Sequence, residues 1–391
     1  MGLLAIKRTQ PEGMPSVRKM IRDAAAALVL TVVVLLIAEA GIRVFDRVRF
    51  GHWTHTSIVT FLDGMREVTH IYREHPFLNV GPNEGTHTAP FGRPISFNSL
   101  GYRSPERPLA KPQGTIRIIC SGGSTTLDLL AADDGTWPSR LEAELRRRGL
   151  RVEVWNAGFP GWSSVENVIS LAIRDVDLAP DIVTLLQGFN DLQPATQVPF
   201  NSQYEGFHTR AMRVTNGIDM PRVPWYQHSL LLERVRTFVL GPQPLVASLP
   251  GQTDIVMRDS IPDEAVRVFE RNIRSFIALA RAHGASVVLV TQPVRLRAAS
   301  AEADARWLEP WIPGLRGNRL PGELERLNNV LRDLASDEVS VADAARDIAW
   351  TDDDFGDPVH YRPSGSSKLA LFIADRVDTM ARRGRDRSAE Q

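Results

Sequence analysis

This chain has a single cysteine in 391 residues, Cys120, so no internal disulfide can staple it and the fold must stand on its core. It has no net charge: 46 Lys and Arg balance 46 Asp and Glu. A nucleic-acid binder needs a basic footprint, and no basic stripe is present. The one basic cluster, Arg382-Arg383-Gly384-Arg385-Asp386-Arg387, reads as solvated disorder over residues 382–391. Internal repeats are missing as well, which excludes solenoids and propellers. What remains is 43% apolar and 24% charged, the balance of a globular protein with ample core.

One long apolar run is present. Ala24 to Ile42 is 19 residues broken only by Thr31 and Glu39, enough at helical rise to cross roughly 28 Å of hydrocarbon. Lys7, Arg8, Arg18, Lys19 and Arg22 precede it; Arg43, Arg47 and Arg49 follow. That bias predicts a cytoplasmic segment 1–23, a single-pass anchor over 24–42 and an extracytoplasmic, periplasmic body. Two other readings compete: a cleavable signal peptide, because Ala38-Glu39-Ala40 offers small residues at a cleavage position, and a buried helix of a soluble domain. Glu39 falls at the membrane interface in the anchor reading.

Residues 43–113 read as a connector rich in His, Pro, Gly and aromatics, with Phe97 to Arg103 running from strand into turn. From 114 to 381 strands alternate with helices. Thr115–Cys120, Val152–Trp155, Asp181–Leu186, Ser286–Thr291 and Val339–Ala342 are short β-branched runs of the kind buried parallel strands show. Helical faces recur at Trp137/Leu141/Leu145, over 165–176, at Val266 to Ile277, over 324–334 and over 364–380. The alternation predicts an α/β domain, a central parallel sheet with helices on both faces. Two insertions interrupt it, 192–262 with Trp225 and Tyr226, and 294–321 with Trp307, Pro310, Trp311 and Pro313. Connections of that length often cover active sites.

Four segments carry the chemistry: Gly123-Ser124-Thr125, Asn156-Ala157-Gly158, Gly188-Phe189-Asn190-Asp191 and Asp357-Pro358-Val359-His360. The first three follow the first three strands, and the last lies between the fifth strand and the final helix. All four are thus expected at the carboxyl rim of the sheet, where ligand crevices form. Ser124 in its turn can present a hydroxyl. Asp357 and His360, three apart, allow the carboxylate to fix one imidazole nitrogen while the other faces Ser124. The Ser124 and Gly158 N–H groups and the Asn190 side-chain amide are candidate oxyanion donors. Read singly, each segment has an ordinary meaning: a turn, a strand exit, a cap, a surface loop. Asp191 reads as holding its loop, Gln292 as structural, and Cys120 as a small buried residue. The Gly-Gly-Ser turn lacks the Gly-Lys-Ser/Thr ending of a phosphate-binding loop, and no further His, Asp or Glu stands at ligand spacing, so neither metal nor cofactor is expected.

Taken in order, Gly-x-Ser, Gly, Gly-x-Asn-Asp and Asp-x-x-His resemble the SGNH, or GDSL-type, hydrolase family over roughly residues 114 to 380. The resemblance implies a three-layer α/β/α sandwich of flavodoxin-like order and a metal-free site. In it Ser124 would be nucleophile, His360 base, Asp357 its orienter, and Gly158 and Asn190 oxyanion partners. The chain departs at Gly123, where the family's commonest motif has Asp; Gly-Gly-Ser-Thr turns and the Phe97 to Glu106 segment resemble membrane-anchored bacterial members. The expected function is a serine esterase or acylhydrolase acting through an acyl-enzyme, with O-acyl groups of envelope glycans or lipids as the substrate class. An O-acyltransferase with a sugar acceptor and a non-catalytic binding module on the same fold are the alternatives. The sequence leaves the oligomeric state open.

Overall fold

In the computed structural model, residues 17–60, 63, 69–88, 93–205, 223–240, 256–295, 301–308, 311–312 and 314–389 are described. Pro310 and Pro313, and within the first insertion 206–222 and 241–255, lie outside them, as do residues 1–16 of the expected cytoplasmic segment. The chain divides into two units: Thr60–Arg222 with Pro244–Gln391, and Met1–Val59 with Val223–Gln243.

The larger unit is built on the five expected strands. Two antiparallel hairpins precede them, β1 (Tyr72–His75) with β2 (Asn79–Pro82) and β3 (Gly85–Thr88) with β4 (Pro94–Phe97). The strands β5 (Ile116–Gly122), β6 (Val152–Asn156), β7 (Ile182–Leu186), β8 (Ser286–Val290) and β9 (Val339–Ala342) form a wholly parallel sheet in the order β6-β5-β7-β8-β9. This is the flavodoxin-like order, in which the direction of winding reverses between β5 and β7 and opens a crevice at their carboxyl ends.

Alternation along each strand feeds two cores. Ile119, Val183, Leu185, Val287 and Leu289 face one side, under α5 (Asp263–Ala282) and α6 (Leu320–Asp333). Ile118, Cys120, Ile182, Leu186, Val288 and Val290 face the other, under α2 (Trp137–Arg147) and α7 (Pro363–Ala389). Both faces are therefore apolar, as a doubly covered parallel sheet requires. Helix α2 has the Thr136 hydroxyl accepting from Ser139 N–H at its start and Gly149, at φ +84°, just past its end.

Three segments carry detail beyond the expectation. The helix expected over 165–176 is present and changes pitch: α3 (Ser164–Ser170) widens to a π-helix over Leu171–Asp175 and tightens over Val176–Leu178. Asp175 turns inward there, accepting from the Tyr102 and Ser170 hydroxyls at 2.7 and 3.1 Å. The final helix, expected over 364–380, runs on past Met380 as α7 to Ala389. The connector carries two hairpins of its own. Its Ile71, Leu78, Val80, Ile95 and Phe97 form a third core with Leu127, Phe159 and Trp162, packing the hairpins on the loops after β5 and β6.

The smaller unit is a pair of helices. α1 (Val17–Phe50) is one unbroken 34-residue helix, longer than the expected 24–42, and Val29, Leu30, Leu36 and Ile37 are all exposed. It is long and apolar enough to cross a membrane. Against it lies α4 (Leu230–Leu240) from the first insertion, preceded by a 3₁₀ turn over Trp225–His228. Glu39 caps α4, accepting from Ser229 Oγ (2.8 Å), Leu230 N (3.1 Å) and Leu231 N (2.9 Å), while Arg43 Nε donates to it at 2.8 Å. Orphan N–H groups at a helix start favour such a carboxylate. Asp46, 2% exposed, accepts from Thr54 Oγ1 and Arg234 Nη2.

Candidate active site

The segment after β5 turns at once into a four-residue helix, Ser124–Leu127, which leaves the Ser124 side chain at its first position. The end of that helix is held by a residue with little to mark it in the sequence. Arg103, buried, donates to the carbonyls of Leu127 (2.9 Å), Asp128 (3.0 Å) and Ala131 (2.8 Å), and pairs with Asp133. A guanidinium with five fixed donors suits carbonyls left over at a helix end. Its only sequence signal is its place after the turn at 98–101. Asp128 takes the left-handed conformation at φ 63° and accepts from Trp137 N–H at 2.7 Å; burial pushes its carboxyl up to about 6.

His360 reaches this serine from the opposite end of the chain. Its loop is a tight return: Phe355 and Tyr361 bridge, Gly356 N–H donates to His360 O, and buried Tyr361 stacks on Trp350 at 5.5 Å. Asp357 Oδ1 accepts from the N–H groups of Val359 and His360, both at 2.9 Å, which folds the Asp-Pro-Val-His turn around its own carboxylate. The other oxygen, Oδ2, is 2.7 Å from His360 Nδ1, and His360 Nε2 is 2.7 Å from Ser124 Oγ. With Nδ1 protonated toward Asp357, the serine hydroxyl donates to Nε2. Burial works against the imidazolium, yet the charge and hydrogen bond of Asp357, with the charge of Asp128, leave His360 raised above its ordinary value. Burial also works against the Asp357 carboxylate, but the His360 charge and hydrogen bond and the two backbone donors hold it below the usual range.

The remaining segments meet at the same rim. The loop after β6 keeps pairing with β5, Ala157 N–H to Cys120 O and Phe159 N–H to Gly122 O, so Gly158 runs beside the Ser124 helix. A Cβ on Gly158 would lie 2.3 Å from Leu127 N, so only glycine fits this approach. Its N–H donates to Asn156 Oδ1 at 3.0 Å, which ties up in part the free donor expected there. Asn190 is buried in the turn after β7, and its Nδ2 donates to Trp162 O at 2.8 Å, leaving its second hydrogen. That amide presses on the serine turn: a Cβ on Gly123 would fall 2.4 Å from Nδ2. Neither Asp191 nor Gln292 faces the serine. Asp191 accepts from Ser164 N–H and from Gln187 Nε2 (2.7 Å), and burial pushes it up to about 6. Gln292 Oε1 accepts from Phe189 N–H at 2.9 Å. Cys120 is buried inside β5, its thiol pushed up to about 12. Among the described residues no group of three or more His, Cys, Asp or Glu side chains is arranged to hold a metal ion.

Residues 119–368 match the GDSL-like Lipase/Acylhydrolase family, a span that contains all four segments. The chain belongs to this family. The enzyme class of this GDSL-like acylhydrolase is ester hydrolase. Among solved structures, a GDSL-like lipase from Bacteroides thetaiotaomicron is similar at 14% identity, covering 67% of this chain and 88% of that one, with a TM-score of 0.37. A lipase/acylhydrolase from Enterococcus faecalis is similar at 17% identity, covering 68% of this chain and 96% of that one, with a TM-score of 0.40. No curated protein matches the sequence.

Proposed function

We propose that this GDSL-like acylhydrolase is a membrane-tethered serine esterase that works outside the cytoplasm through an acyl-enzyme. The observation that carries the reading is the unbroken relay Asp357 Oδ2 to His360 Nδ1 to His360 Nε2 to Ser124 Oγ, 2.7 Å at each hydrogen bond. In it Ser124 Oγ attacks the ester carbonyl carbon as its proton passes to His360 Nε2. The tetrahedral oxyanion is received by Ser124 N–H and the second hydrogen of the Asn190 amide, with Gly158 N–H joining as it shares its bond to Asn156. Collapse breaks the bond to the alkoxide, which takes the proton back from Nε2. Water then repeats the sequence on the acyl-serine and releases the acid. Asp357 holds the imidazole tautomer and steadies the imidazolium.

The tether is α1. A signal peptide to be removed at Ala38-Glu39-Ala40 would surrender Glu39, which here caps α4 with three accepted hydrogen bonds. An O-acyl group on an envelope glycan or lipid is the substrate class that suits such a location. The decisive experiment treats the protein with a fluorophosphonate and identifies the modified peptide by mass spectrometry. The expected result is label on Ser124, lost in Ser124→Ala and in His360→Ala. A folded wild-type protein that takes no label would sink the catalytic reading.

A further inference from the structure

The anchored reading leaves the first insertion without a role, and the smaller unit suggests one. Trp225 is 83% exposed, more than any other tryptophan among the described residues, and Tyr226 beside it is 49% exposed, their rings edge-to-face at 6.0 Å. Such side chains belong inside a globular protein or at a boundary where one end is apolar and the other wet. Their turn is fixed in depth. His228 O accepts from Arg43 Nη2 at 2.8 Å, Ser229 Oγ donates to Glu39, and Gln227 O accepts from Thr56 Oγ1 at 2.7 Å. Glu39 and Arg43 are the charged residues at which the apolar run of α1 ends. The turn over Trp225–His228 thus stands where hydrocarbon gives way to headgroups. Helix α4, with Leu232 and Val235 exposed beside it, has 11 residues, too short to span a bilayer.

We infer that the Trp225–His228 turn is a second membrane contact, with Trp225 and Tyr226 seated among the lipid headgroups beside the outer end of α1. The occupant of this exposed aromatic face is the bilayer that α1 enters, because the turn is hydrogen-bonded to Arg43, and the serine after it to Glu39, where the apolar run of that helix ends, and because exposed Trp and Tyr are the residues of an interfacial aromatic belt. The inference rests on the anchor reading. It gives the insertion a function of its own, since the chain that leaves the Asn190 loop is pinned to the membrane surface before it returns to α5.

The test uses the full chain in vesicles of phosphatidylcholine with a minority of phosphatidylglycerol. Cys120 is buried, so a nitroxide reacts with one introduced cysteine. Labels at Trp225→Cys, at Val33→Cys in the anchor and at Leu371→Cys on α7 are compared by the ratio of collisions with oxygen, which concentrates in lipid, to collisions with a water-soluble nickel complex. The ratio at 225 is expected to be several-fold above that at 371 and below that at 33. A ratio at 225 equal to that at 371 means water and overturns the inference. Suppression of both collisions at 225 means a protein partner or a second copy and overturns it equally. A water-like ratio at 33 overturns the anchor reading itself, and this inference with it.

Discussion

The two units of this protein treat apolar side chains in opposite ways. The larger hides most of its apolar side chains in three cores and gives two carboxylates at the sheet rim several donors: half-buried Asp357 has His360 and two backbone N–H groups, and buried Asp191 has Ser164 and Gln187. The smaller unit buries Asp46 and leaves Leu36, Ile37, Val48 and Phe238 exposed. A carboxylate buried without partners costs several kcal/mol, and Asp357, Asp191 and Asp46 each have donors around them. What differs is the outer surface, since α1 is long and apolar enough to cross a membrane.

The contrast breaks most sharply at the relay. Ser124→Ala is expected to cost on the order of 10⁶-fold in kcat, since the nucleophile and its base act as one unit. Asp357→Asn should cost about 10⁴-fold, because the amide favours the wrong imidazole tautomer. Ester-hydrolysis kinetics on purified protein check both, with circular dichroism showing that the fold survives. A loss below about tenfold for Asp357→Asn would remove the carboxylate from the mechanism. Asn190→Ala should come next, about 100- to 1000-fold in kcat with KM little changed, as for any lost oxyanion donor. Gly123→Asp is the more informative change. It restores the family's commonest residue, yet the new Cβ would meet Asn190 Nδ2 at 2.4 Å, so activity is expected to fall rather than rise.

The same contrast explains what the sequence could tell. All five strands of the sheet were legible because buried parallel strands are short β-branched runs, and the four rim segments because each follows such a run or precedes the final helix. Ser124, Asp357, His360 and Asn190 come together in the structure as expected. Arg103 was not legible: a buried arginine that serves three carbonyls has no local pattern, since its partners lie 24 to 28 residues away. The engagement of Gly158 N–H by Asn156 depends on a side-chain rotamer, which spacing does not encode. The widening of the helix over 165–176 was hidden because Asp175, polar by composition, is buried against Tyr102 from another part of the chain. Glu39 read as an interruption in an apolar run; its partners sit about 190 residues on, in an insertion without a periodic signal.

A smaller effect follows from the imidazole. His360 is raised above its ordinary 6.5, and catalysis needs it neutral, so kcat/KM is expected to fall as pH drops through a value above 6.5. The sign for stability is the reverse: the pairing with Asp357 favours the folded state at low pH and is lost as pH rises through the same raised value. Removing the carboxylate leaves burial as the main influence, so in Asp357→Asn the His360 titration, followed by NMR of the ring protons, should move to lower pH. An unchanged titration would mean that Asp357 does not set the charge of this histidine.

The smallest expected effect lies in the other unit and tests whether its polar ties are as specific as those at the rim. Glu39→Ala removes the acceptor for Ser229 Oγ and for two N–H groups at the start of α4. Losing a cap of this kind costs about 1–2 kcal/mol. A change of that size raises the open population of the element about 5- to 30-fold. Trypsin cleavage after Arg236 in α4, followed in vesicles at low protease, tracks that population when opening and closing are fast. The expected result is faster cleavage at Arg236 with ester hydrolysis retained, because Glu39 has no part in the Ser124 relay. Equal cleavage rates in wild type and Glu39→Ala would mean that α4 is held by its apolar contacts alone. The carboxylate at position 39 would then merely be tolerated where the apolar run ends, and would not dock the insertion on α1.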